Sequence, residues 1–191
     1  MRLPGISRPF TLLSFLCLSL QVFAGSDEVL TAEQLARQWR RTKSLAEPEE
    51  KVRKGMSVVE DGGLASSVKP LEITVDARTL ASFRNIQFGL NSAEIEEGAS
   101  RAQLAEIARA MQSAGDERFL IEGHTCDRGG EELNANLSRR RAQAVRDALV
   151  ALGVDGSRLQ SIGCGQGDPI APNTDEQARA KNRRVQIFRR I

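Results

Sequence analysis

Residues 119–127, Phe-Leu-Ile-Glu-Gly-His-Thr-Cys-Asp, decide the fold of this chain. The apolar residues at the start of this stretch predict a short buried strand that ends at Gly123. Apolar residues then recur at helical spacing from about Glu131 to Leu152, which predicts a long helix, and Gly153 ends it. A strand followed by a helix is the repeating unit of an α/β domain.

The flanking sequence predicts further strands and helices in alternation. Residues 71–75 and 86–90 alternate apolar with polar side chains, which predicts two strands. A helix with one apolar stripe is predicted over 99–113, and short strands over 159–163 and 185–188. This order predicts a two-layer α/β domain in which a mixed sheet of about four strands is covered by two main helices.

The N-terminal third is predicted to be a leader followed by a tether. Residues 1–24 have the pattern of a signal peptide, because arginines precede an apolar run and small residues favour cleavage after Ala24. An uncleaved anchor is the alternative, although the run is short for a spanning helix. Residues 25–69 are predicted to be a tether with a short helix, which would reach an envelope protein or space the domain from a membrane. The compact domain is predicted to cover residues 70–191.

The charge balance argues against a nucleic-acid-binding protein. Loss of the leader would remove two arginines and no acid, which leaves 25 basic and 25 acidic residues. A chain without excess positive charge lacks the usual electrostatic footprint of nucleic-acid binding, and export argues the same way.

Arg141 lies near the middle of the apolar face of the predicted long helix, and Asn134 points the same way. A buried arginine is costly unless another group pairs with it. An internal salt bridge with Asp127 or Asp175 would satisfy it. A ligand carboxylate held in a bidentate grip would do so equally well, and charge alone leaves both possibilities open.

Three spaced motifs carry a resemblance to a known family. They are Gly123-His124-Thr125, Asn134-x-x-Leu137-Ser138-x-x-Arg141-Ala142 and Asn182-Arg183-Arg184-Val185. In this order they resemble the signature of OmpA-like, Pal-type domains, which bind peptidoglycan non-covalently. The resemblance implies an exported, non-enzymatic protein without cofactor or metal, located in the periplasm and associated with the cell wall or outer membrane. It also implies that Arg141 binds a carboxylate of the stem-peptide diaminopimelate, with Asn134 and Arg183 as supporting donors.

Cys126 departs from that signature. The family usually has an aspartate here that binds the amino end of diaminopimelate, and a neutral thiol cannot neutralise an ammonium group. Asp127, the next residue, is therefore the candidate anion. Cys126 and Cys164 both follow strands that should be neighbours, and two cysteines in an exported chain suggest a disulfide, which would make Cys126 structural.

Two other interpretations remain open. His124, the only histidine, could form a metal site or a thiol–base pair with Cys126, Cys164 and Asp127, but the spacing matches no zinc signature. The alternative to peptidoglycan binding is a periplasmic protein–protein interaction module that has lost that activity. Its contact surfaces would be the basic C-terminal strand and the short helix that carries Trp39.

Overall fold

A computed structural model of the protein describes residues 29–43, 49–60, 66–89 and 91–191. The helices within these residues are α1 (Ala32–Lys43), α2 (Ala99–Ser113), α3 (Glu131–Ala151) and α4 (Glu176–Asn182). The strands are β1 (Glu50–Glu60), β2 (Ser66–Phe83), β3 (Phe119–Gly123), β4 (Leu159–Gly163) and β5 (Val185–Arg190). The predicted bounds of α2, β3 and β4 are confirmed, and α3 ends one residue before the predicted Leu152. The predicted signal-peptide cleavage after Ala24 lies outside the described residues.

The strands form one mixed sheet in the order β1-β2-β5-β3-β4. β3 and β4 are parallel, in register from Phe119 opposite Leu159 to Gly123 opposite Gly163, and α3 is the crossover between them. β5 lies antiparallel between β2 and β3. A bridge between Met56 and Gly163 joins β1 to β4 and closes the sheet. The two parallel strands therefore end at the same edge, and the loops that follow them meet there.

The two-layer α/β prediction is confirmed, with five strands rather than about four. The main core lies between the sheet and α1, α2 and α3, and it includes Phe83, Ile107 and Leu149. A smaller apolar cluster on the opposite face of the sheet includes Leu120 and Phe188. The sheet is thus buried on both faces near its centre.

The predicted tether over residues 25–69 is wrong for residues 50–60, which form β1. β1 pairs with β2 from Glu50 opposite Asp76 to Glu60 opposite Ser66, so the folded sheet also begins before residue 70. Four of the first five residues of β1, over 50–54, are charged, and they interrupt the apolar alternation on which strand prediction depends.

The predicted short helix is confirmed, but it belongs to the core. The Trp39 ring lies 4.7 Å from the Phe119 ring, centroid to centroid, and Trp39 Nε1 donates a hydrogen bond to the Thr79 carbonyl at 3.1 Å. The side-chain amide of Gln103 on α2 bonds both the amide and the carbonyl of Leu30. These contacts fix α1 to the domain.

Two glycines let α3 cross close to the ends of the parallel strands. A Cβ at Gly123 would lie 2.2 Å from the Ser138 carbonyl oxygen, and one at Gly163 would lie 2.3 Å from the Arg139 amide nitrogen. Any side chain at these positions would push the helix away. The first half of α3 is therefore held directly over the edge where the loops meet.

Candidate ligand-binding pocket

A pocket of about 840 Å³ opens at this edge of the sheet. Its walls are the loop after β3, residues 84–89 and Asn91 after β2, the first half of α3, and α4 with Arg183 and Arg184, which follow it. The strand predicted over residues 86–90 is wrong for the described residues 86–89, which make one isolated bridge, Phe88 with Ile95. The chain turns at Asn91, which has a positive φ of 51°. The turn directs backbone carbonyls toward α3.

Arg141 uses those carbonyls. Its Nε donates to the Ser92 carbonyl at 3.0 Å and its Nη2 to the Gly89 carbonyl at 3.4 Å. The guanidinium carbon lies 4.9 Å from the centroid of the Phe88 ring, and the residue is 9% exposed. Burial lowers the pKa of Arg141, and nearby Arg183 lowers it further, but a guanidinium group stays charged in proteins.

No acidic side chain of the described residues forms a salt bridge with Arg141. The internal salt bridge with Asp127 or Asp175 is therefore not the arrangement of the structure. Asp175 instead caps α4, where its carboxylate accepts a hydrogen bond from the Ala178 amide at 2.8 Å. Arg141 is a nearly buried cation whose described partners are neutral carbonyls and an aromatic ring, and Nη1 bonds none of the described residues.

Arg183 and Cys126 lie together in the pocket wall. Arg183 Nη1 donates to Cys126 Sγ at 3.8 Å, and Arg183 Nη2 pairs with Glu176 Oε1 at 2.8 Å. Burial lowers the pKa of Arg183, but the hydrogen bonds to Cys126 and Glu176 outweigh it and raise the pKa overall. Arg128 pairs with the other oxygen of Glu176 at 3.2 Å. Sequence reasoning missed Glu176, because an acid in the first turn of a helix is explained by the helix dipole alone.

Asp127 does not pair with Arg141 in the structure. Its Oδ1 accepts a hydrogen bond from Arg179 Nε at 3.0 Å, its side chain is 43% exposed, and it is not among the residues that line the pocket. The two members of the predicted charge pair are therefore separated, and Asp127 is occupied on the α4 side of its loop.

Asn134 lines the pocket and also ties its loops together. Its Nδ2 donates to the Cys126 carbonyl at 3.2 Å and to Gln166 Oε1 at 2.6 Å. The loops also meet through the Thr125 amide, which donates to the Gly165 carbonyl at 2.9 Å. Because its amide group bridges both loops, Asn134 sets the shape of the pocket floor.

The predicted disulfide between Cys126 and Cys164 is wrong in this structure, where both thiols are free. Their loops do meet, as expected, but the side chains contact different surroundings. Cys126 Sγ is beside Arg183 in the pocket, whereas Cys164 Sγ donates to the Lys54 carbonyl at 3.7 Å and packs on the second apolar cluster. Burial raises the pKa of the Cys164 thiol to about 12, so it stays protonated.

A buried ion network lies next to the pocket. Arg53 from β1 donates from Nε and Nη2 to the two oxygens of Glu122, at 2.7 and 2.6 Å, and from Nη2 to Asp168 at 2.7 Å. His124 Nε2 lies 3.3 Å from Glu122 Oε2. Burial raises the pKa of Glu122, but its bonds to His124 and Arg53 lower it more, so the group is ionised. Burial lowers the pKa of His124.

This network fits a metal poorly. Ligand atoms of Glu122, His124 and Cys164 lie within 4.8 Å of one another. However, both Glu122 oxygens already bond Arg53, and the raised pKa of Cys164 disfavours the thiolate that a metal requires. Cys126 and Asp127, the other predicted partners of His124, do not join this group.

The fold and the pocket together define a small α/β domain with a strongly cationic pocket at the ends of two parallel strands. The chain belongs to the OmpA family: residues 87–183 match the sequence profile of that family. Among the described residues, no helix is long and apolar enough to cross a membrane.

Two relatives with similar sequences have peptidoglycan in their names. The chain is 37% identical over 112 residues to a peptidoglycan-associated lipoprotein of Pseudomonas aeruginosa. The aligned region covers 59% of this chain and 66% of that protein. It is 43% identical over 84 residues to the peptidoglycan-binding protein ArfA of Mycobacterium bovis. That alignment covers 44% of this chain and 26% of ArfA. The chain thus spans only about a quarter to two thirds of these relatives.

A solved structure agrees with the sequence relatives. The crystal structure of the peptidoglycan-associated lipoprotein from Burkholderia pseudomallei superimposes with a TM-score of 0.52 at 32% identity. The superposition covers 57% of this chain and 89% of that chain. None of these relatives is named as an enzyme, in agreement with the expectation of a binding protein.

Proposed function

We propose that this chain is a non-catalytic cell-envelope protein that binds peptidoglycan non-covalently, with Arg141 gripping a carboxylate of the stem-peptide diaminopimelate. The observation that carries this proposal is the nearly buried Arg141 guanidinium, which bonds two backbone carbonyls and no described acid. A buried cation without a counterion is costly, and a ligand carboxylate would relieve that cost. The peptidoglycan-associated relatives support the choice of ligand.

The surroundings of Arg141 suit this role. Carbonyls of Gly89 and Ser92 fix the plane of the guanidinium, and Phe88 supports one face of it. A pre-oriented guanidinium loses little side-chain entropy when it binds, and its fork matches the two oxygens of a carboxylate. Arg183, held in place by Glu176, lies in the same wall as a second donor. Asn134 contributes mainly by fixing the floor.

The amino end of the ligand was expected at Asp127. To reach it, Asp127 would have to leave Arg179, with which it pairs at 3.0 Å on the surface. Binding through Arg141 therefore does not depend on Asp127, which stays with Arg179 outside the pocket lining. Location in the periplasm, with the leader removed after Ala24, is part of the same proposal.

Sedimentation with diaminopimelate-type sacculi tests this proposal. Arg141→Ala should weaken binding by about 10- to 150-fold, because a hydrogen bond to a charged group contributes about 1.5–3 kcal/mol. Free diaminopimelate should compete with sacculi for the wild-type protein. Arg140→Ala is the matched control, since it removes the same charge from an exposed neighbouring position. Equal binding by both variants would refute the role of Arg141, and a folded wild type that never sediments would favour the protein–protein module instead.

A further inference from the structure

We propose that the pocket recognises the carboxylate of the diaminopimelate side chain without recognising its amino group, so that it also accepts ligands whose side-chain amine is acylated. This inference rests on the proposed function and specifies its ligand. In cross-linked peptidoglycan the side-chain amine of diaminopimelate is an amide and carries no charge. The protein would therefore bind cross-linked wall as well as free stem peptides.

The pocket lining is strongly cationic. Six cationic side chains line the pocket, whereas Glu176 is the one carboxylate among the described lining residues. The cationic residues are Arg84, Arg128, Arg141, Lys181, Arg183 and Arg184. Both oxygens of Glu176 are taken by Arg183 and Arg128. An incoming ammonium would meet repulsion from these cations and no unpaired described carboxylate in the lining.

Cys126 occupies the position that could have carried an anion. Cys126 lines the pocket and is 5% exposed, and its thiol accepts a hydrogen bond from Arg183 at 3.8 Å. An ammonium placed at this sulfur would lie against the Arg183 guanidinium, so like charges would exclude it. Asp127, the neighbouring acid, is held by Arg179 outside the lining.

Some polar atoms of the pocket lining are unpaired. Among the described residues, four buried side-chain atoms of lining residues have no hydrogen-bond partner: the Nε atoms of Arg84 and Arg184, His124 Nδ1 and Thr125 Oγ1. An N–H donor is satisfied by an oxygen acceptor, such as an amide carbonyl or a carboxylate, and not by an ammonium group. An acylated amine brings a carbonyl oxygen to the pocket, whereas a free ammonium brings more donors. The two arginine Nε atoms, which can only donate, therefore favour a ligand that brings a carbonyl oxygen.

Three forms of the tripeptide L-alanyl-γ-D-glutamyl-meso-diaminopimelate test the inference by calorimetry on the purified protein. One has a free side-chain amine, one has that amine acetylated, and one has the side-chain carboxylate amidated. The acetylated form should bind within about threefold of the free form, because no described anion meets the ammonium. The amidated form should lose about tenfold or more, because the charge-assisted pair with Arg141 is lost.

A pair of variants tests the role of Cys126. Cys126→Asp should create a preference of about tenfold for the free amine over the acetylated form, since it adds a carboxylate to the lining. Cys126→Asn, of similar size and neutral, should show no preference. If acetylation already weakens wild-type binding about tenfold, the inference is overturned while the proposed function stands. If the folded protein binds none of the peptides, the proposed function fails and the inference falls with it.

Discussion

Arg53 on β1 is the residue whose replacement should most clearly change stability. Its guanidinium bonds both oxygens of Glu122, which is fully buried, and also Asp168, and it lies 5.4 Å from the Phe188 ring centroid. The hydrogen bonds to Glu122 raise the pKa of Arg53 against the opposing effect of burial, so the pair is ionised. This contact fastens β1 to the centre of the sheet.

Arg53→Met keeps most of the packing volume and removes the charge. Glu122 would then be a buried carboxylate with His124 as its remaining described side-chain partner. Removal of one partner from a buried ion pair costs about 3–5 kcal/mol, which is a large part of the roughly 5–15 kcal/mol that stabilises a domain. Asp168 is about half exposed, so Asp168→Asn should cost only about 0–1 kcal/mol.

Urea unfolding is a suitable assay, because Trp39 is the single tryptophan and is buried on α1. Its fluorescence should report the loss of the core. Lys51→Met is the matched control, since Lys51 is an exposed cation on the same strand, and it should change stability by no more than about 0.5 kcal/mol. The Arg53→Met, Glu122→Gln double variant should lose about 2–3 kcal/mol less stability than the two single variants lose in total.

A loss of stability in Arg53→Met no greater than that in Lys51→Met would refute the role of Arg53. That result would mean that the charge of Glu122 is compensated without β1. Strictly additive losses in the double variant would equally refute a direct coupling between Arg53 and Glu122.

Three other predictions concern pH, packing and the thiols. Because burial lowers the pKa of His124, the unfolded chain takes up a proton near pH 6.5 that the folded chain does not. The free energy of unfolding should therefore fall as pH drops from 7.5 to 5, and His124→Asn should flatten this dependence. If the variant and the wild type lose stability in parallel over this range, His124 is not the group responsible. Gly163→Ala should lower the urea midpoint strongly, because its Cβ would lie 2.3 Å from the Arg139 nitrogen. Gly167→Ala is the control and should leave the midpoint unchanged, since its nearest contact would be at 3.5 Å. Equal midpoints for the two variants would argue against the close approach of α3. Thiol titration of the denatured protein, after purification from an oxidising compartment without reductant, should find both Cys126 and Cys164 reactive. If neither thiol reacts, the two cysteines form the disulfide after all.

Local patterns were sufficient to predict the centre of the domain. α2, β3, α3 and β4 have continuous apolar stripes or runs, and each ends at a glycine or a polar turn, so their types and bounds follow from residues close in sequence. The same patterns placed Arg141 on the buried face of α3. Arg141, Asn134 and Arg183 do line one pocket, as the family resemblance implied.

Features that depend on distant contacts could not be predicted from those patterns. β1 carries charge because Arg53 is satisfied by Glu122, 69 residues away, and no local signal marks such a partner. The cysteine loops meet as expected, but the direction of each thiol depends on its own neighbours, Arg183 for Cys126 and Lys54 for Cys164. Glu176 enters the pocket because α4 packs there, which its position in the sequence does not show.

Closure of the sheet by β1 limits how other chains can attach to this protein. In the order β1-β2-β5-β3-β4, each of the five described strands has a neighbour on both sides, since Met56 and Gly163 join the first to the last. Open edges are where sheets recruit additional strands, either in specific complexes or in aggregates. An arriving peptide would therefore have to displace β1 to add a strand beside β4, and the same closure protects the domain from uncontrolled strand exchange with its neighbours.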